Sequence, residues 1–446
     1  MPSAVVDVAA IIDERKLGAF QKGVIALCTA VVFVEGMNAQ AAGYIATSLR
    51  EAWSMTPSEL GLFFSSGLTG LMLGAILIAP LADRVGRRPV LLGCVAFFGL
   101  SSFAAAASTS VLMLDVLRFL TGLGIGGAMA NAIALTAEYS PLKRRSSMVA
   151  VMLMGFITGS IAVGLIAAEV VPQWGWQAVF IVDGVLPLLL LPVLFYALPE
   201  SIRFMVVRQR SREAISHLLR RIDPAVEVDR NTRLIVEETP ASGVSVLALF
   251  RDGRARATVL LWTIYFMSLL NLYLFTSWLT VHITSVGIAV GLAILIHSLF
   301  QVGGVFGSVF GWVIDKAGPS RAIFTAYFAG AIAIACIGFS GSNVAMLTIS
   351  VLFAGFGIIG GQTCANALAA TSYPTQIRST GIGWATGIGR AGSILGPGLA
   401  GILVEAGVST ENIFYLAVIP AICASLAGAA LGGLRRPLAV KEGAPA

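Results

Sequence analysis

Twelve apolar stretches alternate with short polar islands along the chain, at about 24–46, 60–81, 89–109, 112–137, 147–171, 178–198, 257–281, 287–313, 322–341, 345–370, 380–405 and 412–433. Each is near the length of about 20 residues that an α-helix needs to cross a bilayer. The pattern predicts an all-α membrane protein with 12 transmembrane helices. Two islands are alike: Ala82-Asp83-Arg84-Val85-Gly86-Arg87-Arg88, and Ile314-Asp315-Lys316-Ala317-Gly318-Pro319-Ser320-Arg321. Asp83 and Asp315 lie 232 residues apart, and so do Gly86 and Gly318. A second repeat sits inside the apolar runs: Gly122-Leu123-Gly124-Ile125-Gly126-Gly127 answers Gly355-Phe356-Gly357-Ile358-Ile359-Gly360 at an offset of 233. Downstream, Pro141 answers Pro374 and Arg145 answers Arg378. A chain that repeats itself half its length later reads as two six-helix bundles, and repeated membrane halves point to a transporter that rocks one half against the other.

The expected organisation is an N-terminal segment 1–23, a first bundle 24–198, a linker 199–256, a second bundle 257–433 and a tail 434–446. The linker opens Pro199-Glu200-Ser201-Ile202-Arg203-Phe204. Over 203–221, Phe204, Val207, Ile215, Leu218 and Leu219 recur at helical spacing, which predicts one short amphipathic helix on the inner membrane surface.

Composition supports the membrane reading. Hydrophobic residues make up 57% of the chain and charged residues 12%, about half the usual share. Mean hydropathy is +0.88. With the N-terminus in the cytoplasm, the 29 Lys and Arg fall in cytoplasmic loops, tails or loop edges, apart from Arg50, Arg118 and Arg390. This positive-inside bias puts both termini in the cytoplasm and explains the net charge of +6 without a nucleic-acid partner. The first 23 residues carry Asp7, Asp13 and Glu14 and no early apolar core, so span 1 reads as an uncleaved insertion signal. Cys28, Cys94, Cys336, Cys364 and Cys423 all lie within spans and form no disulfide or metal motif. The glycine runs lie inside apolar helices with no preceding strand, so they fit close helix packing and not a dinucleotide loop. No Gly-Lys-Ser or Gly-Lys-Thr phosphate loop occurs, which argues against ATP as the energy source. No metal or cofactor is expected.

With these features the chain resembles the major facilitator superfamily over essentially its whole length. The resemblance implies that superfamily's fold, with two bundles and inverted internal repeats. The first loop motif opens with Ala79 where the superfamily usually has Gly, whereas the second copy keeps Gly311. The resemblance assigns the loop residues Asp83, Arg84, Gly86, Arg87, Arg88, Asp315, Lys316, Gly318 and Arg321 to a cytoplasmic gate, together with Arg145 and Arg378. Span 1 carries Glu35-Gly36-Met37-Asn38-Ala39-Gln40-Ala41-Ala42-Gly43, and span 4 ends Ala137-Glu138-Tyr139-Ser140-Pro141. Loop 10–11 and span 11 read Gln376-Ile377-Arg378-Ser379-Thr380-Gly381, then Gly389-Arg390-Ala391-Gly392 and Leu395-Gly396-Pro397. Together these are similar to the aromatic acid:proton symporters, and the span 1 pattern is most similar to the 3-(3-hydroxyphenyl)propionate branch. That family generally has an acidic residue where this chain has Asn38.

Intramembrane charges mark the same places. A charged side chain at mid-bilayer costs at least about 2.5–3.5 kcal/mol, so each one needs a reason. Glu35 lies mid-span with Asn38 one turn on, and it is the expected proton carrier. Asn38 cannot titrate and is expected to hydrogen-bond substrate or a neighbouring helix, with Gln40 a further substrate candidate. Arg390, flanked by Gly389 and Gly392, is the expected partner of a substrate carboxylate, since a guanidinium grips a carboxylate through two parallel hydrogen bonds. Arg118 has Asp115 one turn away, consistent with a structural ion pair, and the resemblance places it in proton coupling. Glu138, beside Lys143-Arg144-Arg145, reads either as a coupling residue or as an interfacial ion pair. An aromatic ring needs an apolar wall with a few polar groups. Asn271, Phe275 and Trp278 in span 7, Gln362 and Asn366 in span 10, and Trp384 in span 11 are the candidates.

The expected activity is import of a small aromatic carboxylate with protons across the inner (plasma) membrane, by a monomer. An anion entering a negative-inside cell works against about 2.3 kcal/mol per charge per 100 mV, which one co-transported proton cancels. An antiporter or exporter of the same fold, or an importer of another organic anion, is the alternative. The antiporter's fifth span commonly has a Gly-Pro motif, whereas span 5 here has Gly155, Gly159 and Gly164 without one. A membrane enzyme is disfavoured by only three His and no nucleophile–base pattern.

Overall fold

The computed structural model describes residues 5–224, 233–235, 246–314, 318–374 and 377–435. Sixteen α-helices fall in chain order: α1 Val8–Glu14, α2 Ala19–Trp53, α3 Pro57–Leu77, α4 Ala82–Val85, α5 Arg87–Ala105, α6 Val111–Glu138, α7 Arg145–Trp174, α8 Trp176–Ala197, α9 Ile202–Val207, α10 Arg212–Ile222, α11 Ala255–Ser285, α12 Val290–Ile314, α13 Pro319–Phe339, α14 Val344–Ser372, α15 Arg378–Glu405 and α16 Thr410–Arg435. Twelve are long and apolar enough to cross a membrane, and they coincide with the twelve stretches read from the sequence. Two three-residue strands, β1 Val5–Asp7 and β2 Arg233–Ile235, pair in parallel with Val6 opposite Leu234.

The doubled motifs have local physical causes. Gly86 (φ 122°) ends α4 and opens α5, and Gly318 (φ 100°) opens α13, each in a conformation that side chains disfavour. The two glycine runs let helix backbones touch. A Cβ on Gly126 would collide with the Leu71 carbonyl of α3, and one on Gly355 with the Phe300 carbonyl of α12. The pairs α3–α6 and α12–α14 are therefore the same packing unit made twice.

The chain forms two compact units. The first comprises Met1–Ala39, Thr69–Ser160 and Phe180–Pro240, and the second comprises Gln40–Leu68, Ile161–Val179 and Ala241–Ala446. Unit 1 has an apolar core around Val31, Val95, Phe98, Ala128 and Leu135. The linker joins this core. Ile202, Met205, Ile215 and Leu219 are buried in it, so the amphipathic segment packs on protein. It also forms two helices where the sequence predicted one. Gln209 takes a left-handed turn (φ 49°) between them, and Ser201 and Ser211 cap their N-termini. Val207, expected on the apolar face, is exposed.

Unit 2 contains the second half of the chain and the ends of α2, α3 and α7 remote from the linker. Small residues hold these ends against their neighbours. Gly43 abuts the Thr276 carbonyl of α11, and Gly164 abuts Ser298 of α12. Ser65 Oγ donates to the Ile394 carbonyl at 2.8 Å, and the hydroxyls of Thr47 and Thr284 meet at 3.0 Å.

Candidate functional site

A concave site lies in unit 2, a cavity of about 340 Å³ lined by Tyr265, Leu269, Tyr273, Gln362, Asn366, Ile382, Thr386 and Arg390. Three helices build it by one rule. Positions 265, 269 and 273 lie four apart on α11, as do 362 and 366 on α14 and 382, 386 and 390 on α15, so each helix turns one stripe inward. The stripes carry a guanidinium, two phenols, two amides and a hydroxyl on an aliphatic wall. Arg390 is half-buried and donates to the Tyr273 hydroxyl at 3.2 Å. Among the described residues no carboxylate forms an ion pair with it. Tyr265 Oη and Gln362 Nε2 both donate to Asn366 Oδ1, at 2.7 and 3.0 Å. The amide oxygen of Gln362 has no hydrogen-bond partner. The cavity thus offers a fixed positive charge with spare donors, an aromatic edge and adjustable polar groups.

The structure brings together Arg390, Gln362 and Asn366 and adds Tyr265, Tyr273 and Thr386, which the sequence reading missed. It does not bring Phe275, Trp278 or Trp384 to that wall. Phe275 is fully buried between Phe300 and Phe414, at ring separations of 5.5 and 5.0 Å. Trp278 packs on Phe64 and donates its indole N–H to the Pro397 carbonyl at 3.1 Å. Trp384 is exposed and stacks on Trp262. Asn271 and Gln40 are buried away from the cavity lining, and both amide atoms of Asn271 lack partners. The face of α11 chosen from the sequence is its packing face. The 265/269/273 stripe, tyrosine at both ends, was the available signal.

A second polar site lies in unit 1. Asn38 is fully buried, its Oδ1 accepts from Arg118 at 2.9 Å, and its amide nitrogen donates to Ser102. The Arg118 guanidinium also lies 5.8 Å from the centre of the Phe180 ring and interacts electrostatically with Asp183. One turn before Asn38, Glu35 is fully buried, and among the described residues neither carboxyl oxygen has a hydrogen-bond partner. Asn38 is therefore engaged with helix partners, and Glu35 stands without one.

The loop residues form a network at the linker end of unit 1. Arg87 pairs with Glu138 at 2.6 Å and with Asp83 at 3.3 Å. Glu138 also accepts from the Ser201 hydroxyl. The Glu200 carboxylate accepts from the backbone N–H groups of Arg87 and Arg88 at 2.9 and 3.2 Å, so it caps α5 where a helix N-terminus favours negative charge. Arg88 donates to the Phe195 carbonyl, and Arg145 pairs with Asp13 at 2.8 Å. Arg84 is exposed. Glu138 is thus held in an ion pair at the helix end. In the second copy, Asp315 and Lys316 lie outside the described residues, Arg321 is exposed, and Arg378 donates to the Tyr373 carbonyl at 3.3 Å. Among the described residues no three His, Cys, Asp or Glu side chains are grouped to hold a metal ion.

The model of the Major Facilitator Superfamily matches residues 28–337 and 261–445. The chain is 40% identical over 423 residues to the 4-hydroxybenzoate transporter PcaK of Pseudomonas aeruginosa, covering 94% of each. It is 38% identical to the gallate transporter of Pseudomonas putida, over 97% of this chain and 96% of that one. It is 33% identical to the 3-(3-hydroxy-phenyl)propionate transporter of Escherichia coli, over 90% and 92%. These relatives bear out the resemblance carried by the motifs of spans 1, 4 and 11. A solved D-xylose-proton symporter shares the fold, with a TM-score of 0.70 at 17% identity over 92% of this chain and 97% of that chain.

Proposed function

The chain belongs to the major facilitator superfamily, and we propose that it imports a small aromatic carboxylate together with protons, by alternating access across the inner membrane. A hydroxybenzoate is the first candidate substrate and 3-(3-hydroxyphenyl)propionate the second, since relatives bearing those names match 94% and 90% of the chain. The observation that carries the reading is the cavity around Arg390. Its guanidinium has no carboxylate of its own, so an incoming carboxylate completes the pair. Tyr265 and Tyr273 flank the ring, and Gln362, Asn366 and Thr386 supply partners for ring hydroxyls. Glu35, buried and without a hydrogen bond, carries the proton. The two halves, 24–198 and 257–433, rock on the linker 199–256, and the loop network of Asp83, Arg87 and Glu138 closes and opens with them.

The test is uptake of labelled 4-hydroxybenzoate, gallate and 3-(3-hydroxyphenyl)propionate into proteoliposomes under imposed proton gradients. Accumulation under an inward gradient, collapsed by a protonophore, is the expected result. Accumulation driven by counter-flowing protons would establish antiport instead, and no uptake of any aromatic acid would retire the substrate class.

A further inference from the structure

Asp183 is the sole charged residue of α8, set among 22 residues that are otherwise almost wholly apolar. It is 1% exposed, and neither carboxylate oxygen has a hydrogen-bond partner among the described residues. Its helix is fixed against α5 by close packing. Gly184 lies against the backbone and Cβ of Phe103, and Gly99 lies against Pro187 and Leu188. Asp183 therefore cannot swing out to water without moving the helix pair. The group it faces is Arg118 of α6, with Asp115 one turn from that arginine. On the same arginine, α2 contributes only the amide of Asn38, with Glu35 one turn before it, and α5 contributes the Ser102 hydroxyl to Asn38. Neither Asn38 nor Ser102 titrates at ordinary pH.

We propose that Asp183 is a second proton-carrying carboxylate of this chain, working against Arg118 from α8 where α2 presents only an amide. Ionised, it opposes the guanidinium charge across the bundle. One proton from the outer side converts the carboxylate to the acid and removes its charge from opposite Arg118, which keeps its hydrogen bond to Asn38. Release of that proton to the inner side restores the opposing charge and completes the cycle with no other reactant. Arg118 is thereby the element whose two partner sets distinguish the loaded state from the empty one. The inference rests on the proton-coupled reading above, but its first test needs no substrate.

That test is infrared difference spectroscopy of the purified full-length protein in detergent during a pH titration. The C=O stretch of a protonated carboxylic acid is expected to titrate in the parent, and one component is expected to vanish in Asp183→Asn but persist in Glu35→Gln. An Asp183→Asn spectrum equal to the parent's overturns the proposal whatever the cargo proves to be. In proteoliposomes, Asp183→Asn should lose gradient-driven accumulation of 4-hydroxybenzoate and keep counterflow exchange. Adding Asn38→Asp, which moves the carboxylate to α2 within reach of the same guanidinium, should restore accumulation. Equal loss of accumulation and counterflow, unrepaired by Asn38→Asp, would make Asp183 a static counter-ion and also overturn the proposal. Failure of the parent to move any aromatic acid, with the titrating band intact, would instead remove only the substrate reading.

Discussion

Two arginines lie inside membrane helices, and their surroundings have opposite character. Arg118 is 6% exposed and surrounded by groups of the protein itself: the Asn38 amide, the Phe180 ring and the Asp183 carboxylate. Arg390 borders an open cavity and, among the described residues, donates to a tyrosine hydroxyl. A buried guanidinium whose charge is answered within the fold is part of the machinery of the protein. One with no carboxylate paired to it among the described residues has donors to spare for an anion. Under the proposed function the same residue type divides two tasks, with the proton assigned to unit 1 and the carboxylate to unit 2.

The sharpest way to break this division is to remove the proton site and leave the anion site. Glu35→Gln should abolish accumulation under a proton gradient while counterflow of 4-hydroxybenzoate persists, as measured in the same vesicles. Full driven uptake would take Glu35 out of coupling. Next in size, Arg118→Ala should leave buried Asp183 without its opposing charge and destabilise the protein by about 3–5 kcal/mol. The readout is thermal unfolding in detergent, and pairing the change with Asp183→Asn should recover much of the loss. An unchanged midpoint would show that Arg118 is not the internal counter-ion described here.

Arg390→Ala should behave in the contrary way. Unfolding should stay near that of the parent, because no internal charge is stranded. Binding of 4-hydroxybenzoate should weaken by about 1.5–3 kcal/mol, the value of a hydrogen bond to a charged group. Calorimetric titration measures this, and Arg390→Lys should recover only part of it, since an ammonium cannot reproduce the bidentate fork. If binding survives Arg390→Ala intact, the cavity is not the carboxylate site. The smallest effect is expected from Tyr273→Phe, which removes the hydroxyl that accepts from Arg390 and should cost about 0.5–1.5 kcal/mol of affinity. A larger loss would mean that the phenol touches the substrate directly.

Much of this was legible before any coordinates. Asp83, Gly86 and the glycine runs announced the repeat, and the structure supplies the reason: a helix break at a positive φ, and backbones in contact at Gly126 and Gly355. Arg390, Gln362 and Asn366 stood out as polar groups in apolar runs and meet in one cavity. Two kinds of residue stayed hidden. Tyr265 and Tyr273 were passed over because α11 is apolar on nearly every side, so periodicity did not say which stripe meets protein and which meets the cavity. Phe275 and Trp278, which looked like a ring-binding wall, are filler between helices. Asp183 was passed over because a single acid in an apolar run has no motif, and its meaning comes only from the arginine it faces.

Length and apolarity of the twelve stretches determined the membrane fold, because a bilayer leaves an isolated chain few ways to satisfy its backbone. The distribution of Lys and Arg gave the expected orientation, and the spaced repeats gave the expectation of two halves. Tertiary structure alone decided which faces of those helices turn inward. In a uniformly apolar helix the choice is made by shape and small-residue contacts with neighbours, and these are set by residues hundreds of positions away.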